Sequence, residues 1–198
     1  VEVAARAIAD HLPDASRGSW ATRPDRIAIL RKHLRGKGSE AIAASAAMEF
    51  GPIDLPGPTG ESNTLALVPR GRALCLGPDA DTLFAQTIQA LAAGNSVLAV
   101  APGARAALAP LLGKGMPLEA LDGTVKPTDL GEIPAEIVAF SGKSENFRPF
   151  RQVFGEKNGP LTRFSTEKID PTAYVHERAV CVDTTAAGGN ASLLAAAE

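Results

Sequence analysis

Aromatic side chains are scarce in this chain of 198 residues, which has one Trp, one Tyr and seven Phe. A core with so few rings must be filled by aliphatic side chains and alanine, which favours helices packed closely on a sheet. Cysteine occurs only at Cys75 and Cys181, so neither a disulfide framework nor a cysteine-rich metal cluster can form. Both lie in apolar runs, at residues 73–76 and 179–182, where buried, unpaired thiols in a reducing compartment are expected. His11, His33 and His176 are scattered, without metal-ligand spacing. The net charge of −2 gives no electrostatic footprint for nucleic acid or an anionic membrane. No window approaches the ~18 uncharged apolar residues of a membrane span. The start carries Glu2, Arg6 and Asp10 and lacks the apolar stretch of a signal peptide. A cytoplasmic protein without a nucleic-acid partner or membrane span is expected.

What is present is an alternation of patterns. Residues 2–12, 25–34 and 39–49 have helical periodicity, with Pro24 placed to start the second helix and Gly36 and Gly38 placed to stop it. Arg26, Arg31, Lys32, Arg35 and Lys37 form a local basic cluster that reads as a solvated helix face. Residues 51–63, with three prolines and three glycines, read as a linker or structured loop. Short apolar strands are then predicted at 73–76, 96–101 and 136–140, with helices at about 79–93, 103–112 and 144–154 between and after them. Gly94 and Asn95 supply the stop of the first. Strands alternating with helices give βαβ units and a parallel sheet. Further strands are expected near 161–164 and 179–183. The resulting division is a helical lead-in (1–50), a turn-rich linker (51–64), an α/β domain (65–180) and a C-terminal strand and tail (181–198).

Catalytic motifs are wanting. Gly142-Lys143-Ser144 stands between a predicted strand and helix, yet the phosphate-binding loop needs a glycine where Ile137 stands. Gly77 stands alone after its strand, without a G-x-G-x-x-G fingerprint. Ser141 has no G-x-S-x-G context. Cys181, between valines, lacks the electropositive setting of a reactive thiol. The loop from Pro56 through Thr59 and Gly60 to Glu61 reads either as a tight turn or as exposed backbone that meets a partner. From Val182 to Ser192 the chain loses every bulky side chain. Such a tail suits either a frayed terminus or edge-strand addition to another surface.

Two long motifs carry a resemblance. His176-Glu177-Arg178-Ala179-Val180-Cys181-Val182-Asp183-Thr184-Thr185-Ala186-Ala187-Gly188-Gly189-Asn190-Ala191-Ser192-Leu193 is similar to the C-terminus of long forms of the bifunctional bacterial proline utilization A enzymes. Leu55-Pro56-Gly57-Pro58-Thr59-Gly60-Glu61-Ser62-Asn63-Thr64-Leu65 resembles a second signature of the same region. Together with the start lacking methionine, this leads to the expectation of a C-terminal domain cut from a larger polypeptide. The stretches 71–78 and 90–98 resemble the first two strands of the aldehyde dehydrogenase cofactor domain, and Ala139-Phe140-Ser141-Gly142-Lys143-Ser144-Glu145 resembles its strand-to-helix turn. The fold class implied is an α/β, Rossmann-like parallel sheet with helices on both faces, preceded by a helical segment and followed by a strand and tail.

The departures matter as much. The lysine that in that family ends the second strand is here Val100, and the family's general-base and nucleophile motifs are absent. The resemblance therefore implies a domain without catalytic residues, metal or cofactor of its own, in a parent that uses FAD and NAD to take proline to glutamate. Its implied partner is the parent's aldehyde dehydrogenase module. Asp183, Thr184, Thr185, Gly188, Gly189 and Asn190, with Thr59, Gly60 and Glu61, are the expected interdomain contacts, helping to seal the passage of the intermediate. Ser141, Gly142, Lys143 and Ser144 mark the alternative, a vestigial or regulatory nucleotide site at a helix N-terminus.

Overall fold

The computed structural model describes residues 5–11, 19–131, 133–142 and 144–183. Helices α1 (Ala5–His11), α2 (Ser19–Thr22), α3 (Arg26–Leu34) and α4 (Ser39–Ala46) come first. Strands β1 (Ile53–Leu55), β2 (Glu61–Pro69) and β3 (Arg72–Cys75) follow, then α5 (Ala80–Ala92), β4 (Ser96–Ala101), α6 (Ala104–Leu108) and β5 (Leu118–Asp122). The order closes with β6 (Ile137–Ala139), α7 (Ser144–Gly155), β7 (Arg163–Ser165) and β8 (Val175–Asp183). The chain divides into two units, the described parts of Val1–Met48 and Pro69–His176, and those of Glu49–Val68 and Glu177–Glu198.

The first unit holds a five-stranded parallel sheet in the order β5-β4-β3-β6-β7. The chain starts in the middle at β3, winds outward through β4 and β5, then crosses back to β6 and β7. This is the doubly wound pattern, and its order reverses between β3 and β6. Leu74, Leu98 and Val138 share one sheet face, where they pack with Leu130, Phe150 and Phe154. Three ring pairs, Phe140–Phe147, Phe140–Phe150 and Phe154–Phe164, have centroids 5.0–5.2 Å apart. Five of the seven phenylalanines thus gather between α7 and the sheet. The alternate residues, Ala73, Cys75, Val97 and Ala99, point to the opposite face, where α5 packs on β3 and β4. Their small side chains let that helix approach closely.

Helix α5 has a well-made start and stop. The Asp79 carboxylate accepts from the Thr82 N–H at 2.9 Å and from the Thr82 hydroxyl at 2.8 Å, which satisfies an otherwise orphaned first-turn amide. Those bonds, the backbone one foremost, hold Asp79 below the usual carboxylate range. At the other end Gly94 takes φ +97°, and a Cβ there would stand 3.2 Å from the Ala21 carbonyl oxygen. The lead-in helices α3 and α4 pack on α5. The buried Trp20 donates from Nε1 to the Leu91 carbonyl at 2.9 Å, and Arg26 donates to the carbonyls of Ala92 and Ala21, each at 2.9 Å. Carbonyls at the end of α5 that have no partner within the helix are thereby paired. Arg26, expected on a solvated face, is buried at 8% exposure; desolvation lowers its pKa, and the carbonyls repay that burial.

The second unit holds a three-stranded sheet, β1-β2-β8. β1 and β2 are antiparallel, with Ile53 opposite Leu65 and Leu55 opposite Asn63. The segment read as a linker therefore carries a hairpin, whose strands the surrounding prolines and glycines conceal. Residues 179–183 are strand as expected, but they belong to this sheet and not to the parallel one. Cys181 is a correction: it is exposed, whereas Cys75 is buried. The apolar run around Cys181 lies on a strand exposed from His176 onward. Strand β5 had no counterpart in the sequence reading, and the expected helix at 103–112 shortens to α6.

Candidate functional site

In a doubly wound sheet, ligands bind beyond the carboxyl ends of the strands at the switch point. Here that point lies between Leu76-Gly77-Pro78 after β3 and Phe140-Ser141-Gly142 after β6. The two strand ends are tied together. The Ser141 N–H donates to the Gly77 carbonyl at 3.0 Å. Gln86, from the second turn of α5 and 0% exposed, reaches both. Its Oε1 accepts from the Gly77 N–H at 3.1 Å, and its Nε2 donates to the Gly77 carbonyl at 3.2 Å and to the Ser141 hydroxyl at 3.1 Å. Both amide protons and the carbonyl of Gln86 are thus engaged. Gly77 adopts φ +81° and turns the chain sharply under this clamp, where a Cβ would stand 3.1 Å from the Asp79 nitrogen.

Beside the clamp lies a hollow of about 480 Å³ over the ends of β3 to β6. Leu76, Val100, Val125, Phe140 and Phe150 line it, and among the described residues Thr124 brings the one polar side chain. Four of its twelve lining residues are prolines, which have no N–H to offer an anion.

A dinucleotide needs amide donors or cations for its pyrophosphate and a polar partner for its ribose. Val100, 2% exposed near the end of β4, offers no charge or hydrogen-bonding group there. The amides nearest the switch point are taken: Leu76 N–H by the Ala139 carbonyl, Gly77 N–H by Gln86, Phe140 N–H by the Ser165 carbonyl and Ser141 N–H by Gly77. These four amides are therefore not free to meet a pyrophosphate. Of the nucleotide candidates, Ser141 is engaged by Gln86, Gly142 follows it, Ser144 begins α7, and Lys143 lies outside the described residues. Gln86 carries no motif that would have singled it out.

Neither thiol has the setting of a nucleophile. Burial pushes Cys75 up to about 12, so it stays protonated at neutral pH. The exposed Cys181 has its Sγ 4.0 Å from the Glu61 carboxylate, whereas a catalytic thiolate needs a cation nearby. Among the described residues, no three His, Cys, Asp or Glu side chains stand together as a metal site, and no helix is long and apolar enough to cross a membrane.

The expected contact residues fall partly in view. Thr59 and Gly60 form the β1–β2 turn, with the Glu61 N–H donating to the Pro58 carbonyl at 3.1 Å. Glu61 opens β2, and its carboxylate meets Asn63 and, across the sheet, Cys181. Asp183 ends β8 and is exposed. One small sheet thus gathers the described parts of both signature segments. Thr184, Thr185, Gly188, Gly189 and Asn190 lie outside the described residues. On this sheet Ile53, Leu55, Val180 and Val182 are 38–50% exposed, apolar side chains without a core of their own.

No protein-family model matches the chain. It is 33% identical over 148 residues to the bifunctional protein PutA of Escherichia coli K12, covering 71% of this chain and 11% of that protein. With the PutA of Rhizobium meliloti it shares 33% identity over 183 residues, 83% of this chain and 14% of that one. The chain therefore spans between a tenth and a seventh of these relatives' length. Among solved structures, a Bradyrhizobium japonicum proline utilization A mutant aligns with a TM-score of 0.63 at 24% identity, over 84% of this chain and 23% of that one. An NAD-dependent benzaldehyde dehydrogenase from Corynebacterium glutamicum aligns with a TM-score of 0.59 at 15% identity, over 82% of this chain and 44% of the other. The chain is a PutA-related domain with the Rossmann-like α/β fold of the aldehyde dehydrogenases.

Proposed function

We propose that this chain is the non-catalytic C-terminal domain of a bifunctional, cytoplasmic proline-catabolic enzyme that converts proline to glutamate. FAD and NAD serve the parent's two active sites, and this domain packs on the aldehyde dehydrogenase module. Its terminal segment, from Asp183 through Asn190, together with Thr59 to Glu61, helps to seal the cavity through which the semialdehyde intermediate passes. Closing such a cavity excludes water and retains a reactive intermediate. The observation that carries the reading is the three-stranded sheet, whose exposed Ile53, Leu55, Val180 and Val182 lead directly to Asp183 and suit burial on a partner. The Gln86 clamp, and a hollow beside it that no cation lines among the described residues, support the absence of catalysis. Deleting residues 182–198 from the full enzyme is expected to leave both half-reactions active and to impair coupled proline-to-glutamate turnover. Unchanged coupled kinetics would remove the sealing role.

The alternative, a vestigial or regulatory nucleotide site, has in its favour the position of the hollow at the strand ends. Calorimetric titration with NAD and ADP tests it, and no heat at millimolar ligand ends it.

A further inference from the structure

A second hollow, of about 650 Å³, lies on the first unit where the end of α3 and the turn after it face the segment beyond α6. Leu34, Ala109 and Pro110 line it together with Lys32, His33, Arg35, Lys37 and Lys114. Among the described residues no Asp or Glu lines it, so four permanent cations face one hollow on a chain whose net charge is −2. None of the four side chains makes a hydrogen bond or ion pair with a described residue. Elsewhere in the unit, Arg23 pairs with Asp25, Arg72 with Glu136 and Lys168 with Asp81. The helix dipole accounts for a cation in the last turn of α3. It does not account for Lys114, which arrives from a different segment.

The backbone adds a second observation. Arg35 has φ +49°, and no other non-glycine residue among those described has a positive φ. The position caps the end of α3, where glycine adopts this conformation without strain. An arginine held there despite its Cβ costs backbone energy, and such positions gather at binding sites.

We propose that this hollow binds a compact multivalent phosphate, a di- or triphosphate group, either free or carried by a small molecule. The guanidinium of Arg35 matches phosphate oxygens as a fork, and the lysines act as point charges. The volume lies within the range of small-molecule pockets, roughly 300–1,000 Å³. Among the described residues no Phe, Tyr or Trp lines it, so they offer no stacking platform of the kind single-stranded nucleic acid uses. This inference stands independently of the docking role.

The test is calorimetric titration of the chain at low ionic strength with tripolyphosphate, pyrophosphate and inorganic phosphate, and with ATP. Saturable one-site binding is expected, strongest for tripolyphosphate and weakest for phosphate. ATP bound more tightly than tripolyphosphate identifies a nucleotide as the source of the phosphates, and equal affinity identifies the phosphate chain itself. The double variant Lys37→Gln/Lys114→Gln, at exposed positions, is expected to keep the melting temperature and weaken binding by at least about tenfold, since charged hydrogen bonds are lost. Arg151→Gln, on the exposed face of α7, leaves binding unchanged. Arg35→Gly relieves the backbone and is expected to raise the melting temperature while weakening binding. The absence of saturable heat at millimolar tripolyphosphate overturns the proposal, as does binding that survives the double variant. Tighter binding of a single-stranded DNA oligomer than of tripolyphosphate would also overturn it, reassigning the hollow to nucleic acid.

Discussion

Replacing Gln86 by leucine keeps the side-chain volume nearly constant and removes the three side-chain hydrogen bonds that tie the ends of β3 and β6, leaving the backbone ones. The buried Gly77 N–H, 3.1 Å from Oε1, loses its only acceptor, which costs about 1–3 kcal/mol for an unsatisfied buried donor. The Gly77 carbonyl keeps the Ser141 N–H and loses one of two donors, worth about 0.5–1.5 kcal/mol. The Ser141 hydroxyl is partly exposed and turns to water at little cost. The sum is a loss of about 1.5–4.5 kcal/mol, or roughly 3–18 °C in melting temperature for a chain of this length. Urea denaturation followed by the fluorescence of Trp20, the sole tryptophan and 6% exposed, reads it directly. An unchanged slope with a lower midpoint is the expected signature. A loss below about 1 kcal/mol would refute the view that Gln86 clamps the ends of β3 and β6.

Other outcomes follow from the same structure. Trp20→Phe removes the donor to the Leu91 carbonyl and is expected to cost about 1 kcal/mol, read by calorimetric melting because the variant has no tryptophan. A thiol reagent at pH 8 is expected to modify the native chain once, at the exposed Cys181, and to reach Cys75, pushed up to about 12 by burial, only on unfolding; mass spectrometry counts the adducts. Burial raises the Glu136 pKa, but the hydrogen bonds and charge of Arg72 outweigh it, and the net shift is downward. The sign follows: the Arg72–Glu136 pair stabilises above the ordinary carboxylate range and its contribution is lost as pH falls through the folded value. Glu136→Gln is therefore expected to flatten the acid limb of a stability–pH profile between pH 6 and pH 3, roughly the window of carboxylate titration.

The alternation that defines the sheet was legible because each signal was local. Asp79 and Gly94 bracket α5, and the short apolar strands before and after it need no distant partner to be recognised. The features that were not legible depend on distance. Gln86 finds the Ser141 hydroxyl 55 positions away, and Arg26 finds the Ala92 carbonyl 66 positions away. A lone glutamine on a helix and an arginine in a basic run carry no trace of those partners. Cys181 misled because an apolar run normally implies cover, and the second unit's sheet gives β8 none. The β1–β2 hairpin was concealed because proline is tolerated at the borders of short edge strands, so turn residues surrounded real strands.

The account rests on a domain that works by docking, and the most direct measurement mixes this chain with the parent enzyme truncated before it. Binding and coupled turnover are followed in the same samples. The account predicts saturable binding that restores coupling, and failure of both when residues 182–198 are removed. No binding and no rescue would contradict it, leaving a PutA-related fold without the proposed role.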